Sequence, residues 1–137
     1  MDARRLLLIL ALAVPLAGQT PCPATPTYSP CELVFELAAE DAAAHPNPYS
    51  SVQLQAEFRS PRHRTFLMPA YWDGGRRMVI RFAPTEAGDW DYRLTGNIAA
   101  FNGTTGRFSA TESSSPGFVK VANGRHWATT EDNKPHL

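Results

Sequence analysis

The chain has 137 residues, and 13 Lys and Arg against 13 Asp and Glu leave it formally neutral at pH 7. A neutral chain lacks the long-range field that holds a phosphate backbone, which excludes nucleic acid as a partner class. The length suits one domain with one hydrophobic core and is short for a catalytic barrel of the usual ~250 residues.

The N-terminus has Arg4 and Arg5, an apolar run over residues 6–14, then Ala17 and Gly18, the layout of a secretory signal peptide assigned to residues 1–18. The run falls below the ~20 residues a membrane-spanning helix needs. No Cys follows Leu16-Ala17-Gly18, so there is no lipoprotein box. The expectation is a secreted or periplasmic protein with no membrane attachment after cleavage. Residues 19–30 are rich in Pro and Thr, with Pro21, Pro23, Pro26 and Pro30, and read as a linker. Cys22 and Cys31 are the chain's two cysteines, nine positions apart. In an oxidising compartment they form a candidate disulfide, with two unpaired thiols as the alternative.

The domain proper is assigned to residues 31–137. Leu33, Phe35 and Leu37 alternate with polar or lesser apolar positions in a first strand, residues 38–44 suit a short helix, and His45-Pro46-Asn47-Pro48 breaks it. Val52, Leu54, Ala56 and Phe58 share one face of the clearest strand, with Gln53, Gln55 and Glu57 on the other. A basic loop follows at 59–64 around Pro61. Residues 66–72 read as one strand ending in the hairpin signal Asp73-Gly74-Gly75, from which 78–82 returns. There Met78, Ile80 and Phe82 point one way, with Val79 and Arg81 the other. After a Pro/Gly corner at 83–89, Trp90, Tyr92 and Leu94 face in while Asp89, Asp91 and Arg93 face out. In immunoglobulin-type sandwiches a Tyr anchors such a corner two residues ahead of a core position. Trp90 stands in the anchoring place here and Tyr92 in the core place. Shorter strands are expected at 106–110, 118–121 and from 126, with turns at Asn102-Gly103 and around 113–116. These elements predict an all-β, immunoglobulin-like antiparallel β-sandwich of about seven to eight strands, with a closed barrel as the alternative.

Asn47-Pro48-Tyr49 and the blocks at 52–58, 69–74, 81–84 and 86–92, in this order and spacing, resemble one family. It is the N-terminal immunoglobulin-like domain of unknown function that precedes the catalytic barrel of many secreted bacterial glycoside hydrolases, apiosidase-like ones among them. The likeness covers residues 31–136. Tyr71-Trp72-Asp73-Gly74 matches the family's aromatic hairpin, and Arg81-Phe82-Ala83-Pro84 its approach to the Gly-x-Trp corner. The resemblance implies a non-catalytic accessory domain with a catalytic barrel as its partner in cis. In the family the strand at 126–128 leads toward that barrel, whereas this sequence ends at Leu137, so a truncated product, a gene fragment or an orphan domain is expected. No catalytic residue carries over.

The residues themselves supply no reaction centre. A glycosidase needs two carboxyl groups about 5 to 9.5 Å apart. Asp73 belongs to a turn, Asp89 and Asp91 to an outward strand face, and Glu86 to the corner. The four His are scattered, no Gly-x-Ser-x-Gly elbow occurs, and His63 lies between Arg62 and Arg64. No cofactor or metal is therefore expected. Strand parity puts Tyr71 and Trp72 on opposite faces, so one of them is exposed or covered by a partner. Tyr71, Trp72 and Trp127 are the candidates for an interface with the barrel or for stacking on a polysaccharide. An independent carbohydrate-binding module, or an adhesion sandwich, is the alternative function.

Overall fold

The computed structural model describes residues 18–20, 22–122 and 126–129. Apart from Gly18, the expected leader lies outside them. The described elements run in chain order as β1 (Gly18–Thr20), β2 (Thr25–Pro26), β3 (Cys31–Glu36), α1 (Ala39–Ala44), α2 (Pro48–Ser51), β4 (Leu54–Arg59), β5 (Thr65–Pro69), β6 (Tyr71–Trp72), β7 (Arg77–Phe82), β8 (Gly88–Gly96), β9 (Thr105–Thr111), β10 (Val119–Ala122) and β11 (His126–Thr129). No helix among the described residues is long and apolar enough to cross a membrane.

Two sheets face each other, ordered β1-β3-β7-β6 and β2-β9-β8-β4-β5. The first is the A-B-E-D sheet of an immunoglobulin-type sandwich, and the second contains its G-F-C order with β5 added at the edge. Alternation decides which side chains lie between them. Leu54, Ala56 and Phe58 are buried on β4, and Trp90, Tyr92 and Leu94 on β8, while Gln55, Glu57, Asp91 and Arg93 are exposed. Met78, Ile80 and Phe82 meet them from β7. Val79 points the other way, as its parity requires, yet it too is fully buried.

Aromatic rings occupy the centre. Phe82 stacks on Phe58 with centroids 4.2 Å apart and meets Trp90 edge-on at 5.1 Å, joining the two sheets. Phe66 and Phe108 flank the indole at 5.8 and 6.2 Å. Such pairs add roughly 0.5–1.5 kcal/mol each beyond the area they bury. They fill the volume that antibody domains give to an inter-sheet disulfide. Tyr92 takes the position of that cysteine and lies over its cross-strand partner Gly106, where a Cβ would stand 2.2 Å from the phenol oxygen.

Three expectations need correction. Residues 66–72 are not one strand: the chain leaves the five-stranded sheet after β5 and joins the four-stranded sheet as β6. At the crossing the Ala70 N–H donates to the Leu54 carbonyl at 2.8 Å. The stretch 19–30 is not a free linker. β1 pairs with β3, β2 lies parallel to β9, and Thr25 and Thr27 are buried. Finally, Val52 precedes β4 rather than opening it, because the short helix α2 runs up to it. The hairpin at Asp73-Gly74-Gly75 forms as expected, with Gly74 and Gly75 at φ of +90° and +52°.

Candidate functional site

The corner between β7 and β8 lines a polar groove. Trp90, fully buried, donates its indole N–H to the Glu86 carbonyl at 2.9 Å. An indole thus closes the bend as a tyrosine hydroxyl does in immunoglobulin domains. Gly88, at φ +121°, permits the close pass: a Cβ there would stand 2.9 Å from Pro61. Pro61 belongs to the 60–64 turn, held by N–H donation from Ser60 to the Arg64 carbonyl at 2.8 Å and from His63 to the Ser60 carbonyl at 2.8 Å. His63 adopts φ +61° to make this tight reversal.

The turn delivers Arg64 to Glu86. Its Nε donates to Glu86 Oε1 at 2.6 Å, and its Nη2 donates to the same oxygen. The Glu86 side chain is only 7% exposed. Burial alone would raise its pKa, but the Arg64 hydrogen bonds and charge, aided by Arg62 and Ser60, hold it below the usual carboxylate range. The second oxygen, Oε2, has no hydrogen-bond partner; Arg62 Nε is 3.8 Å away. On the facing side, Thr27 and Ser113 share a hydroxyl contact at 2.9 Å, and Tyr28 meets Phe118 edge-on at 5.2 Å. Together these segments enclose a groove of about 500 Å³.

The sequence-selected residues lie elsewhere. Tyr71 is opposite Val79 on the outer face of the four-stranded sheet, with the Arg81 guanidinium 5.7 Å over its ring. Arg81 in turn donates from Nε to Glu32 at 2.8 Å. Trp72 is opposite core-facing Met78 but sits at the hairpin end, 40% exposed, its indole N–H donating to the Gly75 carbonyl at 2.9 Å. Trp127 belongs to a different unit, the separate β10–β11 hairpin, where it faces Val121 across the ladder. Val121 is 61% exposed and Trp127 58%. Tyr71 and Trp72 are therefore not in one sheet with Trp127. Cys22 and Cys31 are joined in a disulfide with Cα atoms 5.5 Å apart.

The carboxylates have structural partners. Asp73 pairs with Arg77 at 3.2 Å, and Asp89 accepts from the Ser109 hydroxyl at 2.9 Å. Asp91 lies between Arg59 and Arg107 in register. Among the described residues no three His, Cys, Asp or Glu converge to hold a metal. Sequence reasoning weighed Glu86 as a catalytic acid and passed over the groove around it. The basic turn and the acidic corner were both visible, but nothing local pairs residues 64 and 86.

Fold and corner together define the class, an immunoglobulin-like sandwich whose corner is anchored by tryptophan. Residues 24–97 match the family described as "Domain of unknown function (DUF5060)", and the chain belongs to that family. Among solved structures it is similar to a candidate glycoside hydrolase from Bacteroides vulgatus ATCC 8482, with TM-score 0.70 and 24% identity, over 83% of this chain and 21% of that one. The likeness establishes a shared fold, and the chain spans about a fifth of that protein's length. No curated protein matches.

Proposed function

We propose that this chain is a non-catalytic accessory domain of a secreted glycoside hydrolase, and that it packs against a catalytic barrel through the β10–β11 hairpin. The observation that carries the reading is the apolar face of that hairpin. Val119, Val121 and Trp127 project from the same side of a ladder that belongs to neither main sheet, and all three are exposed. Exposed apolar groups gathered in one patch mark a partner surface. The solved relative, of which this fold occupies about a fifth, supplies the kind of partner. Secretion rests on the leader pattern and on a disulfide suited to an oxidising compartment. A carbohydrate-binding module built on Trp72 and Trp127 is the weaker reading, since the two rings sit on separate sheets.

The test starts from the gene beyond the codon for Leu137, in frame and in neighbouring frames. A barrel-sized hydrolase encoded there, made separately, should bind this chain, and Trp127→Asp or Val121→Asp should abolish the binding. Absence of any such reading frame, or binding indifferent to both substitutions, refutes the docking role. Cleavage of a glycoside by the chain unaided refutes the non-catalytic one.

A further inference from the structure

The five-stranded sheet ends in an open edge. β5 is its outermost strand and, at five residues, the longest edge strand of the two facing sheets; β1, β2 and β6, at the other edges, have three, two and two. In an antiparallel ladder the residues of a strand bond alternately to one side and the other. The Ser60 N–H donates to the Arg64 carbonyl and the Ala70 N–H to the Leu54 carbonyl, each at 2.8 Å, so Phe66 and Met68, in register between them, bond to β4. Thr65, Leu67 and Pro69 therefore turn their backbone groups outward, and nothing among the described residues takes these groups up. All three residues are exposed, Leu67 to 59%.

Proteins normally guard such an edge with charge, a bulge or proline. β5 carries no charge from Thr65 to Pro69, and its one guard is Pro69, whose missing N–H would have pointed outward. The strand itself sets what fits it. In an antiparallel pairing of two copies centred on Leu67, each Leu67 N–H meets the partner's Leu67 carbonyl, and each Thr65 N–H meets the partner's Pro69 carbonyl. Pro69 is then needed only as an acceptor. On the outer face the exposed Leu67 side chains cover each other. On the inner face half-buried Phe66 meets the partner's Met68, a favourable sulfur–ring pairing. Centring on Phe66 instead would set Pro69 opposite His63, whose φ of +61° takes it out of a strand.

We propose that two copies of this chain associate edge to edge through β5, about a two-fold axis at Leu67, joining their five-stranded sheets into one. The contact is isologous, so it closes at two copies and does not propagate. Strands of this length bury less than the about 1,200 Å² at the low end of stable interfaces, which puts the dissociation constant on the order of 10⁻⁴ M. The pairing is separate from the β10–β11 hairpin and does not rest on its docking role.

The test is sedimentation velocity of the full chain from about 10 μM to about 1 mM, spanning that constant. A monomer–dimer equilibrium should appear, and the Thr65 and Leu67 amides should exchange more slowly with deuterium as concentration rises. Leu67→Lys and Leu67→Glu, at an exposed position, should each weaken dimerisation about tenfold or more with unchanged thermal unfolding, because like charges then meet across the axis. An equimolar mixture of the two variants should recover a heterodimer, which requires residue 67 of one copy to face residue 67 of the other. Trp127→Asp should leave the equilibrium as it was. Sedimentation as a monomer throughout overturns the proposal. So does a dimer that tolerates both charged variants, failure of their mixture to associate, or a dimer lost in Trp127→Asp and kept in Leu67→Lys.

Discussion

Trp90 and Trp127 carry the same side chain and do opposite things. Trp90 is 0% exposed, closed in by Phe66, Phe82 and Phe108, and its N–H is held by the Glu86 carbonyl. Trp127 stands out on a two-stranded ladder beside Val121, its ring 58% exposed. A two-stranded hairpin is marginal by itself and needs something to pack on. The contrast teaches that this domain has two apolar surfaces, one closed internally and one exposed among the described residues.

That contrast can be broken experimentally, most forcefully at the centre. Trp90→Ala should lose about 3–5 kcal/mol in urea unfolding, as large core truncations do; a loss no greater than that of Trp127→Ala would erase the distinction. Replacing Cys22 and Cys31 together by Ser should cost about 2.5 kcal/mol by the loop-entropy relation, read as a lower urea midpoint. Gly106→Ala forces a methyl against the Tyr92 phenol and should cost about 1–3 kcal/mol, as overpacking does. The acid limb of stability should contain a part due to Glu86. Its folded pKa lies below the ordinary 4.5, so its contribution is complete above that value and fades as pH falls through the lowered one. Glu86→Gln should flatten that portion of the curve. At the small end, Trp127→Ala should change the stability of the chain by no more than about 0.5 kcal/mol, the usual range for exposed positions.

How much of this was visible in the sequence depends on whether the cause is local. Parity from Leu54 to Phe58 and from Trp90 to Leu94 is set by each strand's own pleat, and the structure follows it residue by residue. The Asp73-Gly74-Gly75 reversal is equally local. The crossing at Ala70 was hidden because Phe66, Met68 and Ala70 keep facing the core as the chain passes between sheets, so alternation runs through the break. β2 escaped notice since it contributes two residues, one of them Pro26, and its register is imposed by distant β9. The candidate site suffered most from this limit. Arg64 and Glu86 meet only because β4, β5, β7 and β8 bring two loops together, which no spacing in the chain announces. Trp127, by contrast, stood out from composition alone as a large ring on a short terminal strand.

The disulfide has a mechanical meaning. Residues 23–30, β2 among them, form the loop it closes, so tension that passes β1 on its way from the N-terminal side crosses through sulfur into β3 and bypasses β2. The parallel β2–β9 pair is thereby spared the shear load and serves as a passive seal along the sandwich edge. Under reducing conditions the same pull, after loading β1 and its pairing with β3, would pass next to β2 and its pairing with β9.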